Sequence, residues 1–390
     1  MSHFAQNSES HFVVATPGRS VCDDNARALE KINRLRFLAL GTRRGVAGIP
    51  AERTRLMPAL GLATYAAARL LTPYRAESFR FRLLPWFDAW VKKQLVPGDH
   101  LISSYGYAND SFQWVRRHGG KTFLDAGNSH PENFWTILTE EYRRWNSSHL
   151  PVARHHYKRS LAMMEHVDYV LSPSHFVTRS FLERGFKPEQ ILKNVYPVDL
   201  ALFKPSSQSR PKDRPLTIIN TGSLSLRKGT PYLLEAFRLV QKQIPTARFR
   251  LTTAMQEDIK PLLARYQELN IEWSPPLPHT LLAERLRGAD IFVLPSLEDG
   301  FARTVTEALA CGLPAITTPN TGASDLIQPG INGEIVPIRD PQTIAEAIFK
   351  WAEIVQVPGY QSRVMLDSNS LSFDHFEQEF LNQITALKLG

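Results

Sequence analysis

The 390-residue sequence holds two cysteines, Cys22 and Cys311, far apart and without neighbouring metal-ligand spacing. That pattern supports neither a disulfide framework nor a zinc site and predicts two buried thiols in a reducing compartment. Long apolar runs are also missing. The longest weakly charged one, Met57 to Leu71, contains Arg69 and falls short of the roughly 20 residues a bilayer span requires. No charged-then-apolar leader opens the chain, and Ser2 to Glu9 read as a polar tail, so the expected location is the cytoplasm. Neither a Walker loop nor a GxGxxG loop is present, which argues against classical dinucleotide binding. A recognition helix, an aromatic RNA-binding motif and a zinc finger are likewise missing, and a net charge of +8 is modest for this length. Nucleic acid is therefore not an expected partner.

What is present is ample material for buried cores: 43% hydrophobic residues against 22% charged, which excludes disorder and a coiled coil and predicts two to three domains. Short β-branched or aromatic runs alternate with helical patterns. In the first half they are His11 to Thr16, Arg36 to Leu40, Asp99 to Ser104, Gly120 to Asp125 and Asp168 to Ser172. After a polar, proline-rich stretch from Lys204 to Pro215 the alternation restarts with Leu216 to Thr221, Ala247 to Thr252, Asp290 to Leu294, Pro314 to Thr317 and Glu334 to Val336. Strands separated by helices need right-handed crossovers, so each half reads as a doubly wound parallel sheet. The expected domains are 1–205 and 206–370, both α/β and Rossmann-like. An amphipathic helix in 371–390, from Phe373 to Leu387, is expected to pack back on the first domain.

Two such domains enclose a cleft at the carboxyl ends of their strands. On its rim Thr221 to Gly229 follows a strand and precedes a helix, placing Arg227 and Lys228 where backbone amides favour an anion. Taken alone it equally fits an ordinary loop with solvated cations. Pro295 to Pro314 is a second strand, turn and helix, with Asp299 just before the helix and Glu307 about two turns into it. Amides near Arg303, Thr304 and Val305 would face an anion with the helix dipole behind them. The carboxylates would accept hydrogen bonds from sugar hydroxyls on either side, although a cap at Asp299 and a solvated Glu307 fit the same residues.

The stretch from Asp299 to Pro314 resembles the signature of the retaining GT-B-fold glycosyltransferases of the "glycosyl transferases group 1" family (glycosyltransferase family 4-like). The family carries an acid, Gly-Phe-Gly, a Glu eight positions after the acid, and Ala-Leu-Ala-Cys-Gly-Leu-Pro. Further matches occur in family order: Val198-Asp199 with Phe203 and Pro205, Gly222 to Gly229 with Leu233 to Phe237, Ala289 to Ser296, and Asn332-Gly333 with Asp340. The resemblance covers about Asp168 to Ile348. It implies a GT-B fold with an acceptor-side first domain and a donor-side second domain. It also implies transfer of a sugar from a nucleotide diphosphate donor to a sugar or lipid-linked sugar acceptor, for a polysaccharide or glycolipid, with no metal and no other cofactor.

The residue roles implied are specific. Lys228, helped by Arg227, neutralises the diphosphate together with the amides of Thr304 and Val305. Glu307 holds the ribose, and Asp299 with the amides of Gly300, Phe301 and Ala302 contacts the donor sugar. His130, in Asp125 to Pro131, approaches the reacting carbon; a core histidine would give the same local sequence. Three departures bear on donor choice: Ser223 replaces a common Arg, Asp299 replaces Glu, and Ala302 replaces the second glycine of Gly-Phe-Gly. A same-fold nucleotide-sugar epimerase and an inactive scaffold subunit remain as alternatives. Basic clusters at Lys31 to Arg55 and Arg143 to Arg159, with the aromatic stretch Phe79 to Trp90, allow a peripheral contact with an anionic membrane surface. Solvated helix faces over a normal core fit them as well.

Overall fold

The computed structural model describes residues 11–18, 20–42, 44–206, 214–357, 359–360, 364 and 368–389. Seven parallel strands build the first sheet: β1 (Phe12–Thr16), β2 (Leu35–Leu40), β3 (Thr54–Leu56), β4 (His100–Ser103), β5 (Thr122–Asp125), β6 (Tyr169–Ser172) and β7 (Ile191–Lys193). Their order is β3-β2-β1-β4-β5-β6-β7. The second sheet has six, β8 (Thr217–Asn220), β9 (Arg248–Thr252), β10 (Ile271–Ser274), β11 (Ile291–Leu294), β12 (Ala315–Thr317) and β13 (Gly333–Ile335), in the order β10-β9-β8-β11-β12-β13. Central strands such as β1 and β11 are buried at every residue, because helices cover both faces of a parallel sheet. Each order reverses direction once, at β1/β4 and at β8/β11, and the loops leaving these switch points face one another.

Strands β3, β7 and β10 were not marked by the sequence pattern; all three are three or four residues long and lie at sheet edges. The Lys204 to Pro215 stretch falls largely on 207–213, outside the described residues. Both cysteines are buried. Of the aromatic stretch expected on a membrane face, Phe81, Leu84 and Phe87 are instead core residues.

The chain returns to its first domain at the end. Helix Phe373–Ala386 packs beside helix Cys22–Lys31, and Phe380 and Ile384 share a core with Phe12, Val14, Leu29 and Leu38. Lys31 pairs with Glu377 across that contact. A second tie between the domains runs from Glu141, fully buried on helix Pro131–Arg144, to the Nε of Arg339 at 2.7 Å and the hydroxyl of Tyr232 at 2.8 Å. Tyr142, the next residue, donates to Asp258 at 2.6 Å.

Candidate functional site

The loop after β8 is shaped by two close backbone approaches. A Cβ on Gly222 would lie 2.8 Å from Leu294, and one on Gly229, at φ +68°, would lie 2.0 Å from the carbonyl of Pro295. Only glycine permits both the left-handed turn and that contact. The loop is thereby pressed against the one after β11, and its cations meet that loop's acids. Lys228 pairs with Asp299, while Arg227 donates to the Glu298 carbonyl at 2.9 Å and stands 3.4 Å from its carboxylate.

The loop after β11 also touches the first domain. Fully buried Glu298 accepts the amide of Ser129 at 2.8 Å, and Ser174 donates to the Gly300 carbonyl at 2.7 Å. A side chain on Gly300 would meet the Gly127 carbonyl at 2.2 Å, so the domains approach backbone to backbone. Ala302 caps helix Arg303–Ala310 in the left-handed region, φ +63° and ψ +70°. The glycine expected at that position from the family pattern would adopt this conformation without steric penalty. Arg303 reaches across to Asp24 at 2.6 Å and lies over the Tyr196 ring at 5.4 Å.

Between these loops is a cavity of about 690 Å³. Its donor-side wall holds Arg227, Lys228, Asp299, Phe301, Ala302 and Thr304; its first-domain wall holds Asp23, Asp24, Arg44, Gly127 and Tyr196. A second interdomain cavity, about 470 Å³, shares Ser223 and Arg227 with the first and adds Tyr74, Glu77, Arg80 and Asn128. Burial alone would push the Asp299 carboxyl up, but the charges of Lys228 and Arg227 outweigh it and hold the group below the usual range. Burial and neighbouring Arg227 pull the Lys228 amine down, against Asp299. Burial raises Glu298, with Arg227 opposing. The result is a cation pair and a helix amino terminus facing one volume, with a carboxylate held ionised beside them. Such a wall can accept a diphosphate and, next to it, hydroxyl donors.

Four expected residues sit elsewhere. Gly300 lines neither cavity, because its backbone lies against Gly127 and its carbonyl accepts from Ser174. Val305 has a fully buried side chain and gives its amide to the Ala302 carbonyl at 2.9 Å, so it does not face an anion; the unsatisfied amides of that terminus are those preceding any intrahelical acceptor, at Arg303 and Thr304. His130 does not line either cavity. It caps helix Pro131–Arg144, with Nδ1 accepting the Glu132 amide at 3.3 Å, its own amide donating to Ser180, and its ring edge-on to Phe181. Burial, then Arg184, lowers its imidazole to about 4, so it is neutral. The core reading of this histidine fits, and the cleft-facing members of its segment are Gly127 and Asn128. Glu307 is 9% exposed and lines neither cavity. Sequence reasoning missed Glu298, Tyr196 and the side chain of Arg303, of which it had considered only the amide. Glu298 adjoins Asp299 in the same turn, and only the turn's direction separates the acid that enters the cavity from the acid that clamps Ser129.

Residues 204–361 match the family model described as "Glycosyl transferases group 1". D-inositol 3-phosphate glycosyltransferase 1 of Catenulispora acidiphila is 29% identical over 184 residues, 42% of this chain and 44% of that protein. The chain spans less than half the length of the curated relatives it matches. Among solved structures, sucrose-phosphate synthase of Thermosynechococcus elongatus superimposes with a TM-score of 0.67 at 17% identity, covering 97% of this chain and 99% of that one. HepE of Anabaena, solved in complex with UDP, gives 0.64 at 16% identity over 97% and 100%. The two facing sheets are the GT-B fold.

Proposed function

We propose, from the premise that residues 204–361 belong to the glycosyl transferases group 1, that the protein transfers a sugar from a nucleoside diphosphate sugar to a hydroxyl acceptor with retention at the anomeric carbon. The observation that carries this reading is the cavity wall on which Lys228, Asp299, Phe301 and Thr304 converge opposite the first domain. The diphosphate lies against Lys228 and the amino terminus of helix Arg303–Ala310, taking over part of the Lys228 charge now spent on Asp299. As the bond from the anomeric carbon to the phosphate oxygen breaks, its electron pair goes to that oxygen, where the ammonium and the helix amides stabilise the growing charge. The sugar ring gains positive character, which the ionised Asp299 offsets. The acceptor oxygen bonds to the anomeric carbon from the face the diphosphate leaves, and its proton passes to the departing phosphate. Nothing in this scheme calls for a metal. The UDP held by HepE makes UDP-sugars the first donors to test.

The test is a panel of UDP-, GDP- and ADP-sugars screened by thermal shift and by release of the nucleoside diphosphate. One donor is expected to raise the melting temperature and to be consumed, and Lys228→Ala is expected to lower kcat about 100- to 1,000-fold, the loss typical of removing one charge-stabilising group, with the far-ultraviolet spectrum unchanged. A panel in which no donor binds or turns over overturns the transferase reading. Wild-type turnover in a folded Lys228→Ala variant moves the phosphate site elsewhere.

A further inference from the structure

The helical hairpin that follows β3, Pro58–Leu70 and Pro73–Arg82, exposes a largely apolar first helix and a mixed second one, with Arg75, Glu77 and Phe79 outward. Helix Pro58–Leu70 contains no acid and buries only Leu60 and Ala67; helix Pro73–Arg82 buries only Phe81. Leu62 is 71% exposed, Tyr65 59% and Leu70 82%. A single exposed leucine is ordinary, but six of the fifteen exposed large apolar residues among the described residues, Leu71, Phe79 and Trp86 being the others here, fall between positions 62 and 86.

Charge says what covers this face. From Arg53 to Phe87 the chain has six arginines and a single acid, Glu77, which stands 3.6 Å from Arg80. Arg69 and Arg75 are exposed, and the Arg69 guanidinium lies over the Tyr65 ring at 4.9 Å, on the apolar side itself. A surface both apolar and cationic matches the interface of a bilayer with anionic headgroups. The position of the hairpin also matters. Its residues Tyr74, Glu77 and Arg80 line the 470 Å³ cavity with Arg227. A Cβ on Gly61 would lie 3.0 Å from the Gly41 carbonyl, at the start of the loop whose Arg44, Gly45 and Val46 line the 690 Å³ cavity.

We propose that this hairpin docks on an anionic phospholipid bilayer, with Leu62, Tyr65 and Leu70 entering the interface and Arg69 and Arg75 meeting headgroup phosphates. Docking holds the mouths of both cavities at the membrane surface. It stands independently of the transferase reading, since it needs no chemistry in the cleft.

The test is sedimentation of the full chain with vesicles of phosphatidylcholine alone or mixed with phosphatidylglycerol, at low and high salt. Wild type is expected to sediment with the mixed vesicles only, and less as salt screens the arginines, the Debye length being about 10 Å at 0.1 M. Leu62→Asp/Leu70→Asp, at exposed positions, is expected to keep the wild-type melting temperature and lose about tenfold in partitioning; Arg69→Glu/Arg75→Glu is expected to lose the preference for phosphatidylglycerol. Equal, low sedimentation with both vesicles overturns the proposal, as does wild-type partitioning by Leu62→Asp/Leu70→Asp. A wild-type dimer that becomes monomeric in Leu62→Asp/Leu70→Asp, with no vesicle binding, overturns it in favour of a second copy on this face.

Discussion

Glu307 makes no hydrogen bond or ion pair through its side chain among the described residues, although it is only 9% exposed. Burial pushes its carboxyl up to about 7, with Arg303 pulling the other way. The sign of the pH dependence follows from the direction of that shift. A carboxyl raised in the folded state contributes stability that is fully present below its unfolded value near 4.5 and is lost as pH rises through about 7. Glu307→Gln is therefore expected to match wild type at pH 4.5 and to exceed it at pH 8 by on the order of 2–3 kcal/mol, measured by urea unfolding at both pH values. An unchanged difference across that range would show that the carboxyl titrates as an exposed one. At this scale the position of Arg227, Lys228 and Asp299 on the cleft wall was legible in the sequence, because loops that leave the carboxyl ends of parallel strands face the cleft, although the same residues fit a solvated loop and a helix cap. His130 was not, because a cap and a ligand require the same residue.

The start of helix Arg303–Ala310 shows an element holding a residue against its preference. Alanine in the left-handed region costs about 1–2 kcal/mol relative to the right-handed one, whereas glycine adopts it freely but loses about 0.5–1 kcal/mol more backbone entropy on folding. Ala302→Gly is therefore expected to stabilise the protein by up to about 1 kcal/mol, and Ala302→Val, whose β-branch crowds the same backbone, to destabilise it by about 2 kcal/mol or more. Urea midpoints for the two variants decide it; a stable valine variant would mean that the loop simply moves to a right-handed turn. Elements were legible where they are buried on both faces. The edge strands β3, β7 and β10 were not, since an edge needs less burial and its residues, such as Thr54–Leu56, lose the continuous apolar run that marks a central strand.

At the scale of the whole molecule, the last helix belongs to the first core. Phe380 is 2% exposed among Phe12, Leu29 and Leu38, some 340 residues or more away along the chain. Phe380→Ala is expected to destabilise by about 3–5 kcal/mol and to lower hydrogen-exchange protection in β1 and β2 while β11 keeps its protection. Equal loss in both sheets would mean that the two domains unfold as one unit.

The alternation of apolar runs and helical patterns was enough to determine two parallel sheets, the cleft between them and the rim loops that carry Arg227, Lys228 and Asp299, because these depend on local periodicity and on the right-handed crossover. What the tertiary structure decided was direction. It sent Asp299 into the cavity and Glu298 to the Ser129 amide, turned His130 into the first core, and left the Pro58–Leu70 helix uncovered. Each of these depends on which surface a neighbouring loop or domain occupies. That is set by backbone contacts such as Gly300 on Gly127, between residues 173 positions apart, and no local pattern records it.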